Sequence, residues 1–103
     1  MEEKKTITLD LTKCRYLGEL HERIRVAFDF PVWYGANWDA FWDLLWSECD
    51  ADEVIIFGEN TLSKEFKQHI EMMHQMLSKY QTEREQDSKM YSDIKPFTYK
   101  IES

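Results

Sequence analysis

One hundred and three residues suffice for one modest hydrophobic core, so residues 1–103 are read as a single domain. A hydrophobic share of 43% and an aromatic share of 15% exclude a disordered chain, although 32% of the residues are charged. Twenty acidic against thirteen basic side chains leave a net charge of −7, which disfavours nucleic acid and anionic membranes and favours a cationic partner.

The N-terminal run MEEKK is charged and no long apolar run follows, so neither a leader nor a membrane span is expected. A cytoplasmic location is expected. Ile7, Leu9 and Leu11 alternate with Thr6, Thr8 and Asp10, which is the period of a half-buried strand over Lys5–Leu11. Thr12 to Arg15 connects it to an amphipathic helix carrying Leu17, Leu20, Ile24, Ala27 and Phe28. Pro31 is expected to stop that helix, and His21, with no second ligand at i+4, is read as a surface histidine. Cys14 and Cys49 lack metal-ligand spacing and are read as reduced thiols.

The stretch from Trp33 to Trp46, WYGANWDAFWDLLW, holds all four tryptophans. Asn37 is a helix N-cap by residue type, since its side-chain oxygen can accept a backbone N–H one turn on. Asp39 then falls in the first helical turn and Asp43 one turn later on the same face. Phe41, Leu44 and Leu45 form the stripe expected to be buried. Trp38, Trp42 and Trp46 form a second row, with Trp42 expected to be partly exposed beside the carboxylates. The plainer alternative puts every tryptophan in the core and leaves both aspartates merely solvated.

Beyond this stretch, Glu48–Asp52 is a polar turn. Val54–Phe57 is a continuous apolar run that predicts a strand buried on both faces, ended by Gly58. Asn60 to Ser63 offers helix-start chemistry. Phe66, Ile70, Met73, Leu77 and Tyr80, with Met72 and Met76 in support, predict a long helix. His69 and His74 do not share a face, so a metal site is not expected. Gln81–Lys95 is polar: its first half can extend the helix and its second half reads as a loop. A last alternating strand covers Phe97–Ile101. This order predicts an α/β fold, a three-stranded parallel β-sheet packed with helices through right-handed crossovers.

No glycine-rich phosphate loop, nucleophile elbow or Cys–His pair at recognisable spacing is present, and no cofactor is expected. The Asp39–Asp43 pair is the one catalytic candidate. A capped, exposed helix offers neither the deep cleft nor the raised pKa that carboxylate catalysis needs, and two carboxylates are too few for a dedicated cation site. No enzyme is therefore expected. As a display, fixed carboxylates beside aromatic rings suit recognition of arginine.

Pro31, Trp33-Tyr34-Gly35, Asn37, Asp39-Ala40 and Trp42-Asp43 together follow the pattern P-x-[aromatic]-Y-G-x-N-x-D-A-x-W-D. This resembles the signature of the barstar family, intracellular inhibitors of barnase-type ribonucleases. The acidic balance, the size and the element order resemble the family over most of the chain. The resemblance implies a barstar-like fold, with the loop at Trp33–Ala36 and the following helix plugging a basic ribonuclease active site. It implies that Asp43 is the central phosphate mimic and Asp39 the second acid, with Trp33, Gly35, Asn37 and Trp42 shaping the contact. It also implies a protein partner, no nucleic acid or membrane, and a monomer when free. The barnase inhibitors are themselves a standard source of the general picture of hot spots and electrostatic steering, so their magnitudes are no independent expectation for this chain. Trp33 stands where the family often has tyrosine, Trp38 where it has a smaller aliphatic, and Glu48 where the type member has tryptophan. The family's late acidic contact has no clear counterpart, since Lys79 and Tyr80 fall near its place. Two other readings stay open: a module regulating a non-nuclease basic partner, and an enzyme using Asp39 and Asp43.

Overall fold

A computed structural model describes residues 5–49 and 51–102. The first four residues of the MEEKK run, and Asp50 of the polar turn, lie outside the described residues. In chain order the elements are β1 (Thr6–Asp10), α1 (Leu17–Phe28), α2 (Trp38–Ser47), β2 (Glu53–Phe57), α3 (Lys67–Met90) and β3 (Thr98–Glu102). Two short 3-10 turns, Glu59–Thr61 and Lys64–Phe66, stand between β2 and α3.

The three strands form one parallel sheet in the order β1-β2-β3. Register places Leu9 against Ile56 and Ile56 against Ile101, so these side chains share a face. On that face Ile7, Leu9, Val54 and Ile56 are buried beneath Leu20, Ile24, Phe41, Leu45, Met73 and Leu77 from the helices. Right-handed crossovers that advance twice in one direction carry every helix to the same face of the sheet. The burial pattern agrees. It also corrects the expectation that Val54–Phe57 is buried on both faces: Ile55 is half-buried, and Phe57, at 39% exposure, lies on the open face with Thr8 and Lys100.

Gly58 ends β2 with φ +84°, and a Cβ there would stand 2.4 Å from the Thr12 amide nitrogen. Only glycine permits this approach of the two strand ends. At the other end of the sheet the polar turn is more than a surface connection. Ala51 is fully buried, and Asp52 Oδ2 accepts the Lys5 amide at 3.1 Å.

Several local expectations are corrected. α1 ends before Pro31, because Asp29 turns left-handed (φ 57°) and the Phe30 amide bonds back to the Arg25 carbonyl at 2.9 Å. Leu17, the first residue of α1, is exposed. The Asn60–Ser63 segment does not open α3 directly; the two 3-10 turns intervene. In α3 the buried stripe is Met73, Leu77 and Tyr80, with Ile70 and Met76 half-buried and Met72 outside it. β3 starts one residue later than predicted, yet Phe97 is buried against Tyr80 (ring centroids 4.8 Å apart), while Ile101 at the edge is 40% exposed. Cys14 and Cys49 are free thiols, and burial pushes Cys14 above the usual thiol range.

Candidate functional site

The chain between α1 and α2 is held by a few specific bonds. The Tyr34 amide donates to the Pro31 carbonyl at 3.0 Å, making a tight turn. Asn37 is extended (φ −141°, ψ 165°), and its Oδ1 accepts the Ala40 amide at 2.8 Å, capping α2. Its Nδ2 donates to the Gly35 carbonyl at 3.1 Å. A Cβ on Gly35 would stand 2.9 Å from that same Nδ2, so glycine leaves room for the asparagine amide to fold back over the loop. Asn37 thus ties the loop to the helix with both ends of one side chain.

The loop has one leg in the core. Tyr34 is buried against Phe30, with ring centroids 5.6 Å apart, and its hydroxyl meets His21 Nδ1 at 2.6 Å. His21 in turn packs on Trp38 at 4.7 Å, and Trp38 Nε1 donates to His69 Nδ1 at 3.3 Å. His21 is 2% exposed, which overturns the surface reading. The signal was present in the spacing: Leu17, His21, Ile24 and Phe28 run i, i+4, i+7, i+11, so His21 falls on the apolar stripe. His69 stands likewise between Phe66 and Met73.

With Tyr34 turned inward, its neighbour Trp33 is turned out and is 70% exposed; Val32 before it is 86% exposed. Gly35, Ala36 and Asn37 are exposed as well. On α2 the buried side chains are Trp38, Phe41, Leu44 and Leu45. Asp39 and Asp43 both face solvent, and neither is paired with a cation among the described residues. Trp42 between them is half-buried, meeting Trp46 edge-on at 6.1 Å. The Lys79 ammonium of α3 lies 5.1 Å from the Trp42 ring centroid. The four tryptophans therefore do not share one fate: Trp38 is core, Trp42 is half-buried, Trp33 and Trp46 are exposed.

Trp42→Ala removes roughly half the apolar burial of a core tryptophan. The expected cost is about 1–2 kcal/mol of stability, below the about 3–5 kcal/mol of a fully buried aromatic. Urea melts of the variant check this.

Burial, and then the charge of nearby His69, hold His21 below the ordinary histidine range. Below about pH 6.5 the unfolded chain therefore binds more protons at this position than the folded one, and stability falls as pH falls. Above that pH the contribution is complete and flat. The expected slope is at most about 1.4 kcal/mol per pH unit. Denaturant melts between pH 7.5 and 5 should show stability falling toward the acid side, and His21→Gln should flatten that fall. The depressed carboxylates Asp10 and Glu22, held down by hydrogen bonds from Thr12 and Arg25, act at lower pH, with the same sign.

Chemically the arrangement displays groups rather than enclosing a substrate. Among the described residues no three His, Cys, Asp or Glu side chains converge to hold a metal, and no helix is long and apolar enough to cross a membrane. A cavity of about 440 Å³ lies between Trp46, Tyr80 and Arg84, and neither Asp39 nor Asp43 lines it. Arg84 there is engaged by the Lys95 and Ala51 carbonyls and the Tyr80 hydroxyl.

The class this defines is a small α/β protein with a three-stranded parallel sheet and an exposed loop–helix surface carrying two carboxylates paired with no cation among the described residues. The family model described as Barstar (barnase inhibitor) matches residues 4–93, and the chain belongs to that family. No curated protein matches the sequence.

Proposed function

We propose that this chain inhibits a basic ribonuclease, or a ribonuclease toxin domain, by placing the loop at Trp33–Ala36 and the carboxylates of α2 in the nuclease active site. The observation that carries the reading is the state of Asp39 and Asp43: exposed, one turn apart, on a capped helix, and unpaired with any cation among the described residues. A phosphodiester-cleaving site holds cations that bind phosphate, and these accept carboxylates in its place. Asp43 is the central phosphate mimic and Asp39 the second acid. Trp33 offers a large exposed ring, Gly35 and Asn37 fix the loop, and Trp42 supports the wall beside Asp43. The chain acts as an immunity or antitoxin protein in the cytoplasm, is a monomer when free, and has no catalytic role of its own.

Affinity capture at low salt from the producing cells, followed by RNA cleavage with the captured partner, tests the reading. Cleavage should be suppressed stoichiometrically as the chain is added. Captured partners that are basic but do not cleave RNA would instead make the chain a module regulating a non-nuclease protein.

Charge sets a further expectation. A chain of net charge −7 meeting a basic nuclease should associate faster at low ionic strength, since exposed charges act over about 10 Å at 0.1 M salt. Stopped-flow association across a salt series measures this. An association rate indifferent to salt would reduce the net charge to a solubility device.

A further inference from the structure

The proposed contact surface is not uniformly acidic. Lys79 projects from α3, one residue before Tyr80 of the core stripe, and its ammonium is held 5.1 Å from the Trp42 ring centroid. It pairs with no carboxylate among the described residues, although Asp43 is the next residue after Trp42. The ring behind it is itself fixed. Trp42 meets Trp46 edge-on, and Trp46 meets Tyr80 edge-on at 4.8 Å. A cation–π contact to a half-buried ring favours this placement of a side chain that is otherwise among the most mobile. The positive charge is thus presented at a set place on the wall between α2 and α3.

We propose that Lys79 is a specificity-determining residue. It admits a nuclease that carries a carboxylate at the rim of its phosphate-binding cleft, opposite the Trp42 wall, and disfavours one whose rim is basic there. This rests on the inhibitor reading above. A cation facing a cation across an interface discriminates by repulsion, which is often how related partners are told apart. The carboxylates of α2 recognise what all phosphate-binding sites have in common, whereas Lys79 recognises what differs between them.

Barnase, the nuclease named in the family's description, is the probe. Lys79→Glu, Lys79→Gln and the wild type are titrated against it, with Lys89→Glu as the charge-matched control. Lys89 lies ten residues further along α3, about 15 Å at the helical rise and beyond the screening length, and is exposed beside Glu85. Lys79→Glu is expected to change barnase affinity at least about tenfold relative to Lys89→Glu, tightening it where the rim opposite the Trp42 wall is basic and weakening it where that rim is acidic, with Lys79→Gln between the wild type and Lys79→Glu. Equal binding of Lys79→Glu and Lys89→Glu overturns the proposal. So does an absence of binding by every form, because the exclusion then lies elsewhere in the surface. Asp43→Ala placed in the Lys79→Glu background keeps the two readings apart. If it leaves the affinity of Lys79→Glu unchanged, the phosphate-mimic mechanism fails while the role of Lys79 stands.

Discussion

Asp43→Ala is expected to weaken binding of the cognate nuclease by at least about 2 kcal/mol, the level that marks a hot spot. The argument begins with the helix. The Asn37 cap and the buried Phe41, Leu44 and Leu45 fix α2 before any partner arrives, so little ordering is needed on binding. Asp43 stands one turn beyond Asp39 on that fixed helix, exposed and without a cation partner among the described residues. In a water-excluding site it can accept two hydrogen bonds from one guanidinium, and its loss leaves buried cations of the partner without a counter-charge. Asp39→Ala should cost less and still be measurable. Glu85→Ala should change little, since Glu85 is exposed on the far part of α3 and its nearest cation, Lys89, is a weak surface partner at 3.8 Å. Stability should hardly change with Asp43→Ala, because the side chain is exposed and only its backbone carbonyl is used, by Ser47 Oγ at 3.1 Å. Titration of each variant with thermal melts alongside decides the matter. If Asp43→Ala and Glu85→Ala bind alike, the carboxylates do not act as phosphate mimics.

Much of this surface could be read from residues alone, and the reason is local. An asparagine cap, a carboxylate in the first turn and an apolar i, i+3, i+4 stripe are decided within one turn of helix, so Asn37, Asp39 and the buried face of α2 were accessible. The alternation in β1 likewise marks its buried face, because Ile7, Leu9 and Leu11 all point to the helices. What escaped depends on distant neighbours. Whether Val54–Phe57 has one covered face or two depends on where the crossovers go, which no feature of the run itself records. The lack of a second ligand at i+4 says nothing of the burial of His21; its place on the stripe points inward, and its partner Tyr34 lies thirteen residues away. The contact of Lys79 with Trp42 joins two helices and is invisible in either one. The pairing of an inward Tyr34 with an outward Trp33 belongs to the same group, since two adjacent aromatics in a loop carry no periodicity to separate them.

Ile55 and Ile56 give the same lesson as an experiment. They are identical, adjacent residues of β2, and they point to opposite faces of the sheet. Ile56 is fully buried between Leu9 and Ile101 under the helices, so Ile56→Ala should cost about 2–5 kcal/mol, the range for emptying a close-packed core position. Ile55 is half-buried beside Thr8 and Lys100 on the face without helices. Its truncation leaves no enclosed cavity and should cost about 1 kcal/mol, in proportion to the apolar area it keeps from water. The difference measures how one-sided the sheet is. A helix covering the second face would make the two variants equally damaging. Partner binding should be unchanged for Ile55→Ala, because the open face of the sheet carries neither the loop nor α2. Ile56→Ala should also bind normally at temperatures where it is folded, and should lose affinity only in step with its unfolded fraction. Urea melts of both variants, with titrations well below the lower thermal midpoint, separate the two effects, since a loss of about 2–5 kcal/mol lowers that midpoint by roughly 8–40 °C in a domain of this length.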